Sequence, residues 1–281
     1  MLAMIPATSD HIHLDHLALA STHAWDQVIR YAYQLGGRWL GGPALDDSSG
    51  FYFCQVELEG GAKLEFLEPV EGDGSEFLRR FLNRNGPGPH HLTFKVPDFD
   101  AAVAAVSAAD YDVIAIDRSD PDWHEGFLHP KQSHGIVIQL AYQGAEDTEW
   151  PVDTTLPPAL RAEPPVLDAI EHLVADLDAA VALFTGPLAM LEKERGRGAD
   201  GRYAVVTSGP WRLVLIQPER PDWQQWLGGR SGRVLRLSFE VAEPGTVAGA
   251  EPTAESAYEV APERNLGTRL RLRARSVPNG R

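Results

Sequence analysis

The sequence of 281 residues predicts an α+β fold built from tandem β-α-β-β-β units. Three observations lead to this prediction. Short segments of alternating polar and apolar residues recur along the chain, and each group of them contains one segment with apolar residues at helical spacing. The same order of segments then returns after a proline-rich break. Repetition of one supersecondary unit predicts that neighbouring units pack together to bury a common core.

The first unit begins with an alternating strand at residues 13–20. Apolar residues at helical spacing from Trp25 to Leu35 predict its helix, and Gly36-Gly37 ends that helix. The other predicted elements are a strand at 38–40, a loop at 41–50 that carries Asp46 and Asp47, and a hairpin of strands at 51–58 and 63–67.

The second unit starts at the Gly88-Pro89 turn and repeats this order. Residues 90–96 alternate as its first strand. The elements that follow are a helix at 98–109 and strands at 111–116, 126–129 and 136–142, with a loop at 117–123. A connector at 70–88, with a short helix near 75–83, joins the two units.

Residues 1–142 are therefore predicted to form one module. Residues 143–165 are acidic and then rich in proline, which is typical of a linker. Residues 166–281 are predicted to form a second, degenerate module, because three of its segments echo the first one. These segments are residues 169–177, 211–218 and 235–241.

Composition limits the classes of function. The net charge of −15 opposes binding to nucleic acid, whose phosphates require a basic surface. No run approaches the roughly 20 apolar residues of a membrane span, and the N-terminus lacks the pattern of a signal peptide. The single cysteine, Cys54, lies in an apolar strand and is predicted to be buried and inert. We expect a cytoplasmic monomer or homodimer whose partner is a small-molecule substrate.

Two pairs of polar residues occupy matching positions in the two N-terminal units. His16 and His91 lie early in the first strand of each unit, and Glu65 and Gln139 lie in the last strand. If a pseudo-twofold relates the units, these four side chains converge on one point. Two imidazoles, a carboxylate and an amide oxygen suit a divalent ion such as Zn, Ni, Co, Mn or Fe(II). The sequence therefore predicts a metal site formed by these four residues.

Each predicted ligand also has a structural alternative. The histidines could be hydrogen-bonded core residues, Glu65 could be an exposed residue of an edge hairpin, and Gln139 could bond a neighbouring strand. In the second module the matching positions hold His172, Val214, Arg236 and Arg271. A valine has no ligand atom and two cations would repel a metal, so this module is predicted to be catalytically empty.

Four motifs characterise the N-terminal half of the chain. They are Leu14-Asp15-His16-Leu17, Lys63-Leu64-Glu65-Phe66-Leu67-Glu68-Pro69, Gly88-Pro89-His90-His91-Leu92-Thr93-Phe94, and Phe127-Leu128-His129-Pro130-Lys131 followed by Gly135-Ile136-Val137-Ile138-Gln139-Leu140. Together they resemble the vicinal-oxygen-chelate superfamily, which includes glyoxalase I, methylmalonyl-CoA epimerase, extradiol dioxygenases and bleomycin-resistance proteins. Over residues 13–142 the motifs look most like the epimerase. The resemblance implies a U-shaped, eight-stranded mixed sheet in each module, with a metal ion inside the U.

Two positions depart from the epimerase pattern. The resemblance places a glutamate that is both ligand and base where this chain has Gln139, and a second basic glutamate where it has Phe53. An amide and a phenyl ring cannot carry protons at neutral pH. The resemblance therefore does not extend to two-base epimerisation.

The residues and the resemblance together predict a metal-dependent lyase or isomerase of the glyoxalase type. Its substrate would be a small carbonyl compound, 2-oxo acid or thioester, and the ion would stabilise an enediolate as a Lewis acid. Glu65 is predicted to be a ligand and, on detaching, a base, while His124 is predicted to be a second acid–base residue. Phe53, His129 and Lys131 are predicted to line the substrate site.

Two other functions stay open. His16, His91 and Glu65 could form the two-histidine, one-carboxylate face of an Fe(II)-dependent, extradiol-type dioxygenase. A protein that sequesters a small molecule without catalysis, as bleomycin-resistance proteins do, is the other alternative, and it would bind no metal.

Overall fold

The computed structural model describes residues 11–46, 50–71, 75–144, 159–161 and 163–275. Over these residues the predicted α+β fold of tandem β-α-β-β-β units is confirmed, because the strands form two eight-stranded mixed sheets. Residues 145–158 and 162 of the predicted linker, and Asp47 of the predicted loop, lie outside the described residues. The module boundaries therefore stay a prediction.

The N-terminal sheet contains eight strands. They are β1 His13–Ala20, β2 Arg38–Asp46, β3 Phe51–Glu57, β4 Lys63–Pro69, β5 Gly88–Lys95, β6 Val113–Asp120, β7 Trp123–Leu128 and β8 Val137–Gln143. Their order across the sheet is β2-β3-β4-β1-β5-β8-β7-β6. The helices are α1 Ala24–Val28, which continues as a π-helix at Ile29–Gln34, α2 Glu76–Asn85 and α3 Phe99–Ala108.

The C-terminal sheet repeats the same arrangement. Its strands are β9 Val166–Val174, β10 Leu191–Gly198, β11 Gly201–Ser208, β12 Trp211–Pro218, β13 Gly232–Val241, β14 Ala250–Pro252, β15 Tyr258–Val260 and β16 Leu270–Ala274. The order β10-β11-β12-β9-β13-β16-β15-β14 is that of the first sheet with eight added to each number. The helices are α4 Leu177–Thr185 and α5 Pro221–Leu227, with 3-10 turns at Pro244–Thr246 and Pro262–Arg264. None of the described helices is long and apolar enough to cross a membrane.

Matching local features support duplication of one module. In each sheet the same pair of neighbouring strands is parallel, β5 with β8 and β13 with β16. Two helices begin with the same cap, because Asp98 accepts a hydrogen bond from the backbone N–H of Ala101 and Asp176 accepts one from that of Ala179. An aspartate at this position satisfies a backbone donor that the first helical turn leaves unpaired.

The chain forms two compact units, and the division between them passes through β1, β5, β9 and β13. The first unit contains the described parts of residues 1–16, 91–149 and 172–234. In it, Gly135 has φ +87°, and a Cβ there would lie 1.8 Å from the carbonyl oxygen of Gly232, so only glycine fits.

The second unit contains the described parts of residues 17–90, 150–171 and 235–281. Tyr31 of the π-helix is fully buried in it and stacks on Phe66, with 5.4 Å between the ring centroids. The side-chain amide of Asn265 donates to the Tyr31 hydroxyl at 3.1 Å, which satisfies that buried oxygen. Burial raises the pKa of Tyr31 to about 12.

Two edge regions contain longer strands than predicted. Residues 41–46 of the predicted loop at 41–50 continue β2, whose Ala44 pairs with Phe53 of β3 after two shifts of register. The predicted loop at 117–123 belongs mostly to β6, whose residues are almost all exposed. An edge strand that faces solvent and contains bulges lacks regular hydrophobic alternation, so its sequence resembles that of a loop.

Candidate metal centre

Three ligand-type side chains lie together in the N-terminal sheet. His16 is on β1, Glu65 on β4 and His91 on β5, and β1 lies between the other two strands. One ligand atom from each residue lies within 4.8 Å of those of the other two. All three residues are buried, with 4%, 9% and 7% of their surface exposed. Two imidazoles and a carboxylate in such proximity have the composition of a divalent-metal site.

Hydrogen bonding indicates the tautomer of His16. Its Nδ1 lies 2.8 Å from Oδ2 of Asp15, and an ionised carboxylate can only accept, so Nδ1 carries the ring proton. The other ring nitrogen, Nε2, lies 2.8 Å from Oγ1 of Thr93, and it is the atom that could bind an ion when it carries no proton. A carboxylate commonly orients a metal-binding histidine in this way. Asp15 therefore prepares Nε2 of His16 as a ligand atom.

Glu65 is held from the neighbouring strand. Gln55 of β3 lies directly opposite Glu65, and its Nε2 donates to Oε1 of Glu65 at 3.1 Å. The alternative in which Glu65 is an exposed hairpin residue is wrong, because the side chain is buried beside the two histidines. A buried carboxylate is costly without compensating interactions, and a divalent cation would supply a strong one.

Gln139 is connected to His16 through Thr93. The parallel strands β5 and β8 place Thr93 opposite Gln139, and the Thr93 hydroxyl donates to Oε1 of Gln139 at 2.5 Å. Nε2 of Gln139 donates to Oε2 of Glu125 on β7 at 2.7 Å. Gln139 thus bonds both neighbouring strands and directs its amide oxygen to the side of the sheet that carries His16. Its role as a metal ligand stays a prediction.

The residues present fit a bound divalent ion. Nε2 of His16, the carboxylate of Glu65 and a ring nitrogen of His91 form the donor set, and the amide oxygen of Gln139 adds a fourth donor of suitable type. A mixed nitrogen and oxygen set suits borderline ions such as Zn or Fe(II) and does not select one of them.

Sequence reasoning missed four residues of this site, Asp15, Gln55, Thr93 and Glu125. A signal existed for Thr93, because it lies two positions after His91 and so shares its face of the strand. Gln55 is likewise opposite Glu65 in the hairpin. Glu125 had no such signal, since the segment before it was predicted to be a loop and the face of β7 could not be assigned.

His124 does not lie beside the side chains of His16, Glu65 and His91. It precedes Glu125 on β7 and therefore points to the opposite face of the sheet. There its ring contacts Phe99 and Tyr142, with 5.9 and 5.4 Å between the ring centroids. This placement suits packing against α3, and it leaves the predicted acid–base role of His124 without a contact to the metal ligands.

The three residues predicted to line the substrate site have different environments. His129 and Lys131 are exposed in the turn after β7, where Nδ1 of His129 accepts a hydrogen bond from the backbone N–H of Lys131. Phe53 lies two positions from Gln55, so it shares the face that carries Glu65. It packs against a buried cluster formed by Ala18, Ala20, Leu67 and Leu78.

Burial holds two neighbouring groups in their neutral forms. His90 precedes His91 on β5, and its ring contacts Phe81 with 4.7 Å between the centroids. Burial lowers the pKa of His90 to about 4, although the charge of Glu65 acts in the other direction. Burial also raises the pKa of the Cys54 thiol, which confirms the prediction that Cys54 is buried.

The C-terminal sheet has ion pairs where the N-terminal sheet has ligands. Nη2 of Arg236 lies 2.7 Å from Oε2 of Glu171, and the hydroxyl of Ser238 donates to Oε1 of the same carboxylate at 2.6 Å. Nη1 of Arg236 also lies 3.3 Å from Oε1 of Glu259. These residues are buried or half-buried. In the C-terminal sheet, the position that matches His91 therefore belongs to a cluster of paired charges.

The assignment of His172 to the position of His16 is wrong. The residue that contacts the equivalents of His91 and Thr93 is Glu171, one position earlier on β9. His172 points to the other face, where its Nε2 lies 2.6 Å from the carbonyl oxygen of His134. Burial lowers the pKa of His172 to about 4. A shift of one residue in the internal alignment moves a side chain across the sheet.

The topology and the His-Glu-His group together define a protein with tandem mixed-sheet modules, one of which carries a candidate metal centre. Residues 15–127 match the model of the Glyoxalase/Bleomycin resistance protein/Dioxygenase superfamily. The chain therefore contains a domain of this superfamily, and the family resemblance predicted from the motifs is confirmed. None of the curated proteins compared with the chain matches it.

Three solved structures are similar to this chain to different extents. A triple mutant of 4-hydroxymandelate synthase from Streptomyces coelicolor is 15% identical, covers 96% of this chain and 95% of its own, and has a TM-score of 0.63. Methylmalonyl-CoA epimerase from Mycobacterium tuberculosis is 26% identical over 50% of this chain and 93% of its own, with a TM-score of 0.42. A hypothetical protein from Bacillus halodurans C-125 is 24% identical over 49% of this chain and 98% of its own, with a TM-score of 0.43. The first of these supports the two-module architecture.

Proposed function

We propose that this protein is a divalent-metal-dependent enzyme of the glyoxalase type, a lyase or isomerase that acts on a small carbonyl compound, 2-oxo acid or thioester. The observation that supports this proposal is the buried group of His16, Glu65 and His91, whose ligand atoms lie within 4.8 Å of one another. These residues and Gln139 would hold the ion. A bound divalent ion would supply a Lewis acid for a substrate carbonyl.

We assign proton transfer to Glu65. It is the only carboxylate in the proposed ligand set, and Gln55 holds one of its oxygens by a hydrogen bond at 3.1 Å. The other oxygen is the one that could take a proton from the carbon beside a substrate carbonyl, and return it. Because Gln139 and Phe53 neither gain nor lose a proton at neutral pH, a mechanism with one carboxylate base fits these side chains better than one with two.

Phe53 is assigned to substrate binding. It shares a strand face with Gln55 and packs against the apolar cluster that contains Leu67. An apolar wall beside Glu65 would reduce access of water to the reacting carbon and strengthen electrostatic interactions there. His129 and Lys131, which are exposed in a turn, would contribute only to the outer part of a larger substrate.

The first test is metal analysis of the purified protein, followed by turnover of hemithioacetal, 2-oxo acid and acyl-thioester substrates with each candidate ion. We expect about one ion per chain, and we expect the Glu65→Gln variant to lose turnover. The matched control is Glu57→Gln, which removes a carboxylate from the half-exposed ion pair with Arg38 on the neighbouring strand. Full activity in Glu65→Gln would remove Glu65 from the mechanism. Tight substrate binding by a metal-free protein without turnover would favour the sequestering alternative.

One observation favours a second candidate. Two histidines and one carboxylate are also the ligands of Fe(II) oxygenases, which leave other positions of the ion open for substrate and oxygen. This candidate predicts oxygen consumption with a catechol or a 2-oxo acid when the protein contains iron, and no turnover when zinc replaces iron. An isomerase or lyase would instead work without oxygen and with more than one ion.

A further inference from the structure

The side chain of Gln139 is fixed by a residue that lies outside the proposed ligand set. Oε2 of Glu125 accepts hydrogen bonds from Nε2 of Gln139 at 2.7 Å and from Nε1 of Trp123 at 3.0 Å. Trp123, Glu125 and Gln139 are therefore connected through one carboxylate oxygen. An indole N–H can only donate and an ionised carboxylate can only accept, so the donor and the acceptor in each of these hydrogen bonds cannot be exchanged.

We propose that Glu125, held by the Trp123 indole, is a positioning residue that fixes the Gln139 side chain with its amide oxygen toward His16 and the metal centre. The carboxylate can bond only the NH2 end of the amide. The oxygen end must then point away from Glu125, and it accepts from the Thr93 hydroxyl, which lies 2.8 Å from Nε2 of His16. This inference rests on the proposed metal-dependent function.

The burial of these groups makes the orientation consequential. Thr93 is fully buried and Gln139 is 8% exposed, so water offers few alternative partners if the amide turns over. With the NH2 end turned inward, the amide would present a donor to the ion instead of an oxygen. Residues that orient a metal ligand in this way typically affect metal affinity by about 10- to 100-fold.

The test measures binding of Co²⁺ to the full chain by calorimetry, together with the visible absorption of the bound ion. Glu125→Gln allows the Gln139 amide to turn over, because the new side chain can both donate and accept, so we expect roughly tenfold weaker binding and a changed spectrum. Asp122→Asn is the control, since it removes an exposed negative charge three positions earlier and should bind Co²⁺ as the wild type does. Equal affinity of the Glu125→Gln variant and the wild type would overturn the proposal.

A double variant separates positioning from a general effect on packing. Glu125→Gln combined with Gln139→Glu exchanges the amide and the carboxylate, which preserves the hydrogen bond with reversed polarity and places an ionised ligand at position 139. We expect this double variant to bind Co²⁺ at least as tightly as the wild type. Binding no tighter than that of Glu125→Gln alone would overturn the proposal.

A milder variant covers the case in which Glu125→Gln does not fold. Trp123→Phe removes the indole donor but keeps a ring beneath Lys95, whose Nζ lies 3.8 Å from the Trp123 ring centroid. It should weaken Co²⁺ binding in the same direction by a smaller factor, and unchanged binding would count against the proposal. A wild-type protein that binds no Co²⁺ would overturn the proposed metal centre and this inference together, whereas tight binding that Glu125 does not influence would overturn this inference alone.

Discussion

The two sheets have the same topology but carry different chemistry at matching positions. In the N-terminal sheet, His91 and Thr93 of β5 lie with His16 and Glu65, a set of metal ligands and a hydrogen-bonding partner. In the C-terminal sheet, the equivalent residues of β13 are Arg236 and Ser238, and both bind the carboxylate of Glu171. Val214 takes the position of Glu65.

The different side chains at these matching positions show two ways in which one sheet topology can compensate buried polar groups. Arg236 is a cation within the chain, and it pairs with Glu171 and Glu259, so the C-terminal cluster contains its own counter-charges. Glu65 lies beside the imidazoles of His16 and His91, which are ligands suited to an ion from solution, and it accepts a hydrogen bond from the Gln55 amide. The two sheets share one strand order. The described side chains at matching positions differ, because one set consists of metal-ligand types and the other contains an arginine paired with carboxylates.

The largest expected effect is in the C-terminal cluster. Arg236→Ala would leave the buried Glu171 carboxylate without its cation, and breaking a buried pair typically costs about 3–5 kcal/mol of unfolding free energy. Chemical denaturation measures this loss. Arg273→Ala, on the exposed part of β16, is the control and should cost less than about 0.5 kcal/mol. A loss below about 1 kcal/mol in Arg236→Ala would show that the cluster is not a compensating ion pair.

The second effect tests the N-terminal group. At a free ion concentration about 100 times Kd, a bound ion should raise the unfolding free energy by about 2.7 kcal/mol. His91→Ala should abolish this increment because it removes one of the ligands. Glu259→Gln in the C-terminal cluster should keep it, although that variant starts from a lower stability. The same increment in His91→Ala and the wild type would mean that the ion binds elsewhere.

The third effect concerns the buried histidine of the C-terminal sheet. Burial lowers the pKa of His172 to about 4, below its unfolded value near 6.5. The unfolded chain therefore binds the extra proton first, so this contribution to stability is present above pH 6.5 and is lost as the pH falls toward 4. The contribution of His172 to the slope should reach about 1.4 kcal/mol per pH unit, and His172→Gln should lower the slope by that amount, while His90, whose pKa burial also lowers to about 4, keeps its own contribution. An unchanged slope would mean that His172 is not the titrating group.

The smallest effects are expected at exposed ion pairs on the outer strands. Arg38 pairs with Glu57 in the N-terminal sheet, and Arg197 pairs with Glu219 in the C-terminal sheet. Both arginine side chains are more than 60% exposed, so Arg38→Ala and Arg197→Ala should each change stability by less than about 0.5 kcal/mol. If either variant lost as much unfolding free energy as Arg236→Ala, burial would not explain why the Arg236 ion pair matters more than the exposed pairs.

Much of the fold could be predicted because β-strands and helices have distinct periodicities. The first and last strands of each N-terminal unit alternate regularly, and each pairs with a neighbour on both sides in the sheet. The edge strands β2 and β6 could not be predicted at full length, because solvent-exposed residues and bulges remove the alternation. The candidate ligands His16, Glu65 and His91 could be identified because duplication placed similar residues at matching positions of two units.

The amino-acid sequence by itself determined the repeated units, the superfamily resemblance and three side chains able to bind one ion, because periodicity and internal repetition are properties of the order of residues. Tertiary structure alone decided which face each polar residue occupies. Strand alternation places His124 and Glu125 on opposite faces of β7, and only the pairing of β7 with β8 shows that Glu125 contacts Gln139. The same geometry selects Glu171 over His172, because a change of one residue along a strand reverses the direction of its side chain.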